Sequence, residues 1–200
     1  MPLKVPSLAT RLLSAWLALA ALTAAVPARA TSEAALWEDL KSPGHIAIIR
    51  HALAPGNGDP ENFELRDCST QRNLSGGGRR QARRTGEQFR ENGIASATVY
   101  SSQWCRCLET GRLLGLGAVT ELPPLNSTYK FPERRGEQVE ELRRSIAVMD
   151  LSKPVVMSTH YTIIRALVGQ PPRSGEIMVV RRETNGSVTL RGAIAPSSTQ

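Results

Sequence analysis

Residues 45–52 read HIAIIRHA, and a fully apolar run ends there in a cation and an imidazole. The four residues from Ile46 to Ile49 have no polar face, which is typical of a strand buried on both sides in a parallel sheet. Arg50 and His51 follow that run directly. Because ligands bind at the carboxyl ends of the strands in open α/β sheets, we interpret His51 as a nucleophile and Arg50 as the group that grips what it attacks.

Strand and helix patterns alternate along the rest of the chain. Further buried strands are predicted at 97–100, 118–121 and 154–158, and helices at 33–41, 76–92, 103–115, 137–149 and 162–169. A hairpin of 176–182 and 187–191 closes the chain around Asn185-Gly186. This order predicts an α/β fold, a three-layer α/β/α sandwich with a mostly parallel central sheet. The long loop at 53–75 is of a kind that is usually functional or disordered.

The first thirty residues resemble a removable leader. Two basic residues precede an apolar run, 12–26, that is too short to span a bilayer comfortably, and residues 28–30 (ARA) have the form of a cleavage site. We therefore predict a signal peptide at 1–30 and a single exported domain at 31–200, periplasmic or secreted, with no membrane span after cleavage. The alternative is an uncleaved membrane anchor.

The formal net charge is +7, and 21 of the 25 basic residues are arginine. The guanidinium group matches phosphate oxygens in a bidentate way, so nucleic acid, an anionic cell envelope or a phosphorylated small molecule could each be a partner. Export and the lack of aromatic residues interleaved with the arginines disfavour nucleic acid. Arginine richness can equally reflect genome base composition, so the charge alone decides little.

The three cysteines are Cys68, Cys105 and Cys107. In an oxidising compartment two of them can form a disulfide and leave one thiol over. Cys105 and Cys107 are too close together to pair easily, so a bridge from Cys68 to one of them would tie a loop to a helix. The spacing is not of the metal-binding CxxC type, and we expect no metal.

Three of the predicted strands deliver polar groups to what should be one edge of the sheet: Arg50 and His51, Arg106 one turn into the next helix, and His160. Ser101-Ser102, before Arg106, are good N-cap residues for that helix. The helix N-termini behind Ser102 and His160 would add N–H groups for an anion. The third histidine, His45, lies at the opposite end of its strand, and we treat it as structural or surface.

These residue types suit phosphoryl transfer. A phosphoryl group in flight spreads negative charge over three oxygens, so catalysis consists mainly of positioning and positive charge. Arg50, Arg106 and His160 could surround those oxygens while neutral His51 attacks phosphorus. His51 then needs an acceptor for its other N–H, which the sequence does not identify. We expect His160 to donate to the phosphoryl group, which a protonated form would favour.

Four motifs carry a resemblance to a known family. Arg50-His51-Ala52 resembles the RHG motif of the histidine phosphatase superfamily, which has the phosphoglycerate-mutase-like fold. SSQWCRCLET at 101–110 and STHYTIIRALVG at 158–169 resemble the second and third signatures, and DCSTQRNLSGGGRRQA at 67–82 resembles the linking block of small exported members. The similarity spans roughly 45–182, with the motifs in the right order.

The resemblance implies that His51 is the phosphorylated nucleophile and that Arg50, Arg106 and His160 form the phosphate pocket. No cofactor is implied, because the arginines supply the charge that Mg²⁺ supplies elsewhere. Two departures are Ala52 and Tyr161, where the family commonly has glycine. Ala52 should leave the pocket usable, whereas Tyr161 could narrow it, stack on a substrate or simply pack on the sheet.

The general acid for the leaving alcohol is missing from the place where the family often has it, near Asn126-Ser127. Other candidates are Glu121, Glu133, Asp59, Glu61 and Glu64, each of which we interpret as a solvated surface carboxylate. Some members need no such acid when the leaving group is already good. Arg72 and Asn73 either contact substrate or cap the loop.

The function predicted from the sequence is an exported phosphatase that hydrolyses phosphomonoesters, with a phosphorylated small molecule or envelope sugar as substrate. The alternative is a member that binds a phosphorylated ligand with little or no turnover, which the missing acid and Tyr161 motivate. A mutase is disfavoured because it must shield its phosphohistidine from water, and this short chain has little material for a lid.

Overall fold

The computed structural model describes residues 31–199, so the predicted signal peptide at 1–30 lies outside the described residues. Within that part of the chain there are six strands and five α-helices. The strands are β1 (His45–Arg50), β2 (Thr98–Ser101), β3 (Val119–Glu121), β4 (Val155–Thr159), β5 (Ile177–Arg182) and β6 (Val188–Ile194). The helices are α1 (Glu33–Lys41), α2 (Gly76–Glu91), α3 (Cys105–Leu114), α4 (Arg135–Val148) and α5 (Tyr161–Val168). Each predicted element is present, with ends shifted by a few residues.

The strands form one mixed sheet in the order β3-β2-β4-β1-β5-β6. The first four strands in this order run parallel to one another, as the alternation of strands and helices along the chain predicts. β5 runs antiparallel to β1, and β6 returns antiparallel to β5 as the predicted hairpin. The prediction of a mostly parallel central sheet is confirmed, and β4 and β1 lie at its centre.

Helices cover both faces of the sheet. This burial on both sides explains why the sequence of β1 has no polar face. Ile48 belongs to a hydrophobic cluster with Ile163 of α5 and with residues of α4. The next residue, Ile49, belongs to a second cluster with Phe89 of α2 and with residues of α1 and α3. Because successive side chains of a strand point to opposite faces, a strand between two helical layers must be apolar throughout. The three-layer α/β/α architecture is confirmed.

A disulfide joins Cys68 to Cys105. Cys68 begins a short 3-10 turn in the loop at 53–75, and Cys105 is the first residue of α3, so the bridge ties this loop to a helix as predicted. The third cysteine, Cys107, is free and buried. Among residues 31–199, no helix combines the length and the apolar character needed to cross a membrane.

Gly86 is where α2 makes its closest approach to α3. A Cβ atom at this position would collide with the backbone carbonyl of Leu114 at the end of α3. Backbone atoms cannot move aside as a flexible side chain can, so we expect Gly86→Ala to destabilise the protein by about 3 kcal/mol. Gly136 in α4 has no atom within 4 Å of its would-be Cβ and provides the matched control.

Chemical denaturation of both variants measures this difference. Gly136→Ala should stabilise the protein by about 0.5–1 kcal/mol, because alanine has the higher helix propensity. Equal free energies of unfolding for the two alanine variants would contradict the packing argument.

Candidate active site

A cavity of about 300 Å³ lies at the carboxyl edge of the parallel strands. The structure brings all four predicted site residues to it: Arg50, His51, Arg106 and His160. The imidazoles of His51 and His160 face each other edge to face, with ring centroids 5.5 Å apart. His45 lies at the opposite end of β1, away from the cavity.

His51 is fixed by backbone and side-chain bonds. Its backbone N–H donates to the carbonyl of Thr159 at 2.9 Å, which extends the pairing of β1 with β4 by one residue. Its Nδ1 lies 2.9 Å from the carbonyl oxygen of Ala52. A carbonyl only accepts, so Nδ1 carries the proton and Nε2 keeps its lone pair. The acceptor that the sequence did not identify is therefore the backbone of the next residue.

The surroundings of His51 keep it neutral. Its side chain is buried, and burial lowers the pKa well below the ordinary 6.5. The positive charge of Arg106 lowers this pKa further, and the charges of Arg50 and Arg72 act in the same direction. The hydrogen bond to Ala52 opposes these effects without reversing them. The result is an uncharged imidazole with a free Nε2, which is the form a nucleophile needs.

His160 is held in the other tautomer. The backbone N–H of Gln103 donates to Asn126 Oδ1 at 2.8 Å, so this oxygen is an acceptor and the hydroxyl of Ser102 donates to it at 3.2 Å. The Ser102 oxygen then accepts from His160 Nε2–H at 2.8 Å. Nδ1 of His160 faces the guanidinium of Arg106 at 3.4 Å. In this arrangement Nδ1 carries no proton of its own.

Burial, the charge of Arg106 and the neighbouring His51 lower the pKa of His160 well below its ordinary value. His160 is therefore neutral in the free protein. For donation to a phosphoryl group through Nδ1, it must first take up a proton, which a bound anion would favour.

The prediction that Ser101-Ser102 cap the next helix is wrong. Helix α3 begins at Cys105, and Trp104 at its N-cap position makes no side-chain cap bond. The Ser102 hydroxyl binds His160 and Asn126 and also accepts from the backbone N–H of Trp104 at 3.3 Å, while the Ser101 hydroxyl donates to the carbonyl of Ser102. Ser102 thus orients the second histidine, and neither serine is the N-cap of α3.

Asp59 is the functional residue that the sequence interpretation missed. We expected a solvated surface carboxylate, but its side chain is only 9% exposed and pairs with both terminal nitrogens of Arg106, at 2.6 and 3.2 Å. Trp104 Nε1 also donates to it at 3.0 Å. The pairing forms because the loop at 53–75 folds back over the sheet edge. No local sequence pattern predicts that the loop does so.

The other carboxylates considered lie elsewhere. Glu121 binds Arg66 and Gln103 outside the cavity, while Glu61, Glu64 and Glu133 are exposed. Their interpretation as surface carboxylates holds for the exposed three. Asn73 donates to the carbonyls of Cys68 and Gln71 and so caps the loop.

Two more side chains line the cavity beside the four predicted site residues. Arg72 lines the cavity and also braces the loop by donating to the carbonyls of Gly58 and Ala54. Tyr161 lines the cavity too, with the Arg50 guanidinium 5.5 Å from its ring centroid. Nε of Arg50 and Nε of Arg106 are buried without a hydrogen-bond partner within residues 31–199. Guanidinium groups with unused N–H donors suit the binding of an oxyanion.

The thiol of Cys107 lies beside His160, with Sγ 3.4 Å from Nε2. Burial raises the pKa of this thiol to about 12, so it stays protonated. Within the described residues, no group of three or more His, Cys, Asp or Glu side chains could hold a metal ion.

The two neutral histidines make stability depend on pH. Unfolding returns His51 and His160 to the ordinary pKa of 6.5, so below that pH the unfolded chain binds more protons than the folded one. We expect the free energy of unfolding to stay nearly constant above pH 6.5. As the pH is lowered below 6.5, this free energy should decrease by up to about 1.4 kcal/mol per pH unit for each histidine. Denaturation in phosphate-free buffers from pH 7.5 to 5.5 measures the slope. His160→Gln should flatten it; a slope equal to that of the unsubstituted protein would contradict the assignment.

Comparisons with known proteins agree with this geometry. A family model described as the histidine phosphatase superfamily (branch 1) matches residues 46–147. No curated protein matches the chain. The structure of the protein histidine phosphatase SixA complexed with tungstate shares 17% sequence identity at a TM-score of 0.51, covering 76% of this chain and 97% of that one.

A second solved structure has the same fold. Phosphoserine phosphatase from Entamoeba histolytica, in complex with 3-phosphoglyceric acid, shares 13% identity at a TM-score of 0.59, covering 78% of this chain and 99% of that one. At such identities the likeness concerns the fold alone. The family model matches residues 46–147, just over half of the chain, and this match means that the chain belongs to the histidine phosphatase superfamily.

Proposed function

We propose that this protein is an exported phosphatase that hydrolyses phosphomonoesters through a phosphohistidine intermediate on His51. Membership of the histidine phosphatase superfamily supports phosphatase activity in general. The observation that carries the specific mechanism is a neutral His51, with Nε2 unprotonated, in a cavity lined by Arg50, Arg72 and Arg106.

The reaction follows from these positions. Nε2 of His51 attacks phosphorus, the bond from phosphorus to the leaving oxygen breaks, and that oxygen takes a proton. Arg50 and Arg106 offset the negative charge on the equatorial oxygens, and His160 on the other side of the cavity can donate once it is protonated. Water then attacks the phosphohistidine and releases phosphate.

Two observations support export. Residues 1–30 have the pattern expected of a secretory leader. The disulfide between Cys68 and Cys105 is of a kind that persists in oxidising compartments such as the periplasm. An exported phosphatase meets the phosphorylated components of the cell envelope, so a phosphorylated envelope sugar or a similar small molecule is the substrate class that we propose.

The rim of the cavity is compatible with a ring-shaped leaving group. Tyr129 lines the cavity and is 60% exposed, and the half-buried Tyr161 presents a second aromatic side chain. A volume of about 300 Å³ exceeds what a phosphoryl group alone requires. SixA is a protein histidine phosphatase and was solved with tungstate, a tetrahedral oxyanion, so phosphohistidine peptides are the competing substrate class.

Replacing the nucleophile tests the activity. His51→Ala should lower turnover of an aryl phosphate by at least about 10³-fold, because the covalent route is lost. His45→Asn is the matched control, since this histidine lies at the other end of the same strand, and it should retain the turnover of the unsubstituted protein. Turnover near the original level in His51→Ala would rule out the nucleophile.

Rapid quenching tests the intermediate. A labelled phosphoryl donor should leave an acid-labile, base-stable adduct on His51, because a phosphorus–nitrogen bond hydrolyses in acid. If phosphate or vanadate binds while no adduct and no turnover appear, the protein is the binding member considered above. Screening the mature protein against sugar phosphates, nucleotides, inositol phosphates and phosphohistidine peptides then identifies the substrate class.

A further inference from the structure

Asp59 is the one acidic residue among the described residues that line the cavity. Besides Arg106, two neutral donors hold its carboxylate: Trp104 Nε1 on one oxygen at 3.0 Å and the backbone N–H of Arg72 on the other at 3.1 Å. These two bonds do not depend on Arg106. The carboxyl group would therefore stay at the cavity if Arg106 turned to another anion.

The pairing with Arg106 is in competition with substrate. Both terminal nitrogens of Arg106 are bound to Asp59, and these are the donors that a guanidinium uses to grip a phosphoryl group. A phosphoryl group that takes over either nitrogen removes a hydrogen bond from Asp59 and brings negative charge beside it. Both changes favour the neutral form of the carboxyl group.

The electrostatics of the free protein show how much depends on Arg106. Burial raises the pKa of Asp59, but the hydrogen bonds and charge of Arg106, with the hydrogen bonds from Arg72 and Trp104, together outweigh burial, and the pKa lies below its ordinary value. Other charged or titratable groups around Asp59 include Arg72 in its own loop, the thiol of Cys107, His160 across the cavity, and Lys130 and Tyr129 across a small hollow. An anion that engages Arg106 weakens the largest of the effects that stabilise the carboxylate and leaves burial, the single largest effect on this pKa, in place beside the hydrogen bonds from Arg72 and Trp104.

We propose that Asp59 is the general acid of this enzyme, protonated when the phosphoryl group displaces it from Arg106, an inference that rests on the proposed phosphatase function. The proton comes from the substrate monoanion as that anion binds Arg106. While the bond from His51 Nε2 to phosphorus forms and the phosphorus–oxygen bond breaks, the Asp59 proton moves to the leaving alcohol oxygen.

The second half of the reaction restores the starting state. The Asp59 carboxylate takes a proton from the water that attacks phosphorus, the phosphorus–nitrogen bond breaks, and its electron pair returns to Nε2 of His51. Phosphate takes that proton from Asp59 and leaves as the monoanion, and the Asp59 carboxylate pairs with Arg106 again. The acid thus comes from the loop after β1, and not from the loop after β3 where the sequence has no carboxylate.

A leaving-group series tests this role. Asp59→Asn should lower kcat/KM for phenyl phosphate by about 100-fold or more, because phenolate is a poor leaving group without a proton. For 2,4-dinitrophenyl phosphate, whose leaving group needs no proton, the variant should stay within a few fold of the unsubstituted protein. Glu61→Gln, an exposed carboxylate of the same loop, is the control and should be unaffected with both substrates.

A binding measurement separates this role from a structural one. Asp59→Asn should bind inorganic phosphate at least as tightly as the unsubstituted protein, since a competing anion has been removed from Arg106. Equal losses with both substrates, or loss of phosphate binding, would mean that Asp59 merely holds Arg106 in place and would overturn the proposal. Full turnover in His51→Ala would refute the phosphatase mechanism itself, whatever Asp59→Asn does.

Discussion

The site depends on backbone pairing that continues one residue beyond the central strands. Arg50 of β1 lies opposite Thr159 of β4, and the next N–H, that of His51, donates to the Thr159 carbonyl. On the other side of β4, the N–H of Ser102 donates to the carbonyl of Ser158 in the same way. These bonds set the two histidines side by side and place the serine hydroxyl under the second one. The backbone positions of the two histidines cannot separate unless the centre of the sheet opens.

The side chains that line the cavity carry more positive than negative charge in the free protein. Arg50, Arg72 and Arg106 line it, and Asp59 is the acidic residue beside them. Desolvation by burial, together with repulsion from Arg106, lowers the pKa of both Arg50 and Arg72, which is a sign that these cations lie close together. Such a site is organised for an anion at some cost to the stability of the empty protein. The same charges keep the histidines neutral, so one arrangement serves both binding and nucleophilicity.

Much of the fold and of the candidate site can be predicted from the sequence, because local sequence patterns encode them. An apolar run predicts a buried strand, and a charged or titratable residue directly after it predicts the ligand-binding edge, so the positions of Arg50, His51 and His160 can be predicted from the sequence. The position of Arg106 can be predicted too, because it lies near the start of the helix that follows β2.

The remainder depends on tertiary contacts. Asp59 lies in a loop of 23 residues, at 53–75, that has no periodic sequence pattern. Its place in the site depends on a contact with Arg106, a helix residue 47 positions away in the chain. The role of Ser102 was misread because a serine before a helix is normally a cap, and only the fold reveals the histidine above it. The tautomer of His51 rests on a carbonyl orientation that no residue type specifies. Similarly, the choice of Cys105 over Cys107 as the disulfide partner is a matter of which side of α3 faces the loop.

The free thiol under the second histidine has a practical consequence. Cys107 is fully buried and protonated, so an alkylating reagent cannot modify it while the sheet edge is closed. With the other two cysteines in a disulfide, the chain has a single native labelling position, which lies against the candidate active site. The kinetics of its modification would report how often this part of the molecule opens, without an introduced probe.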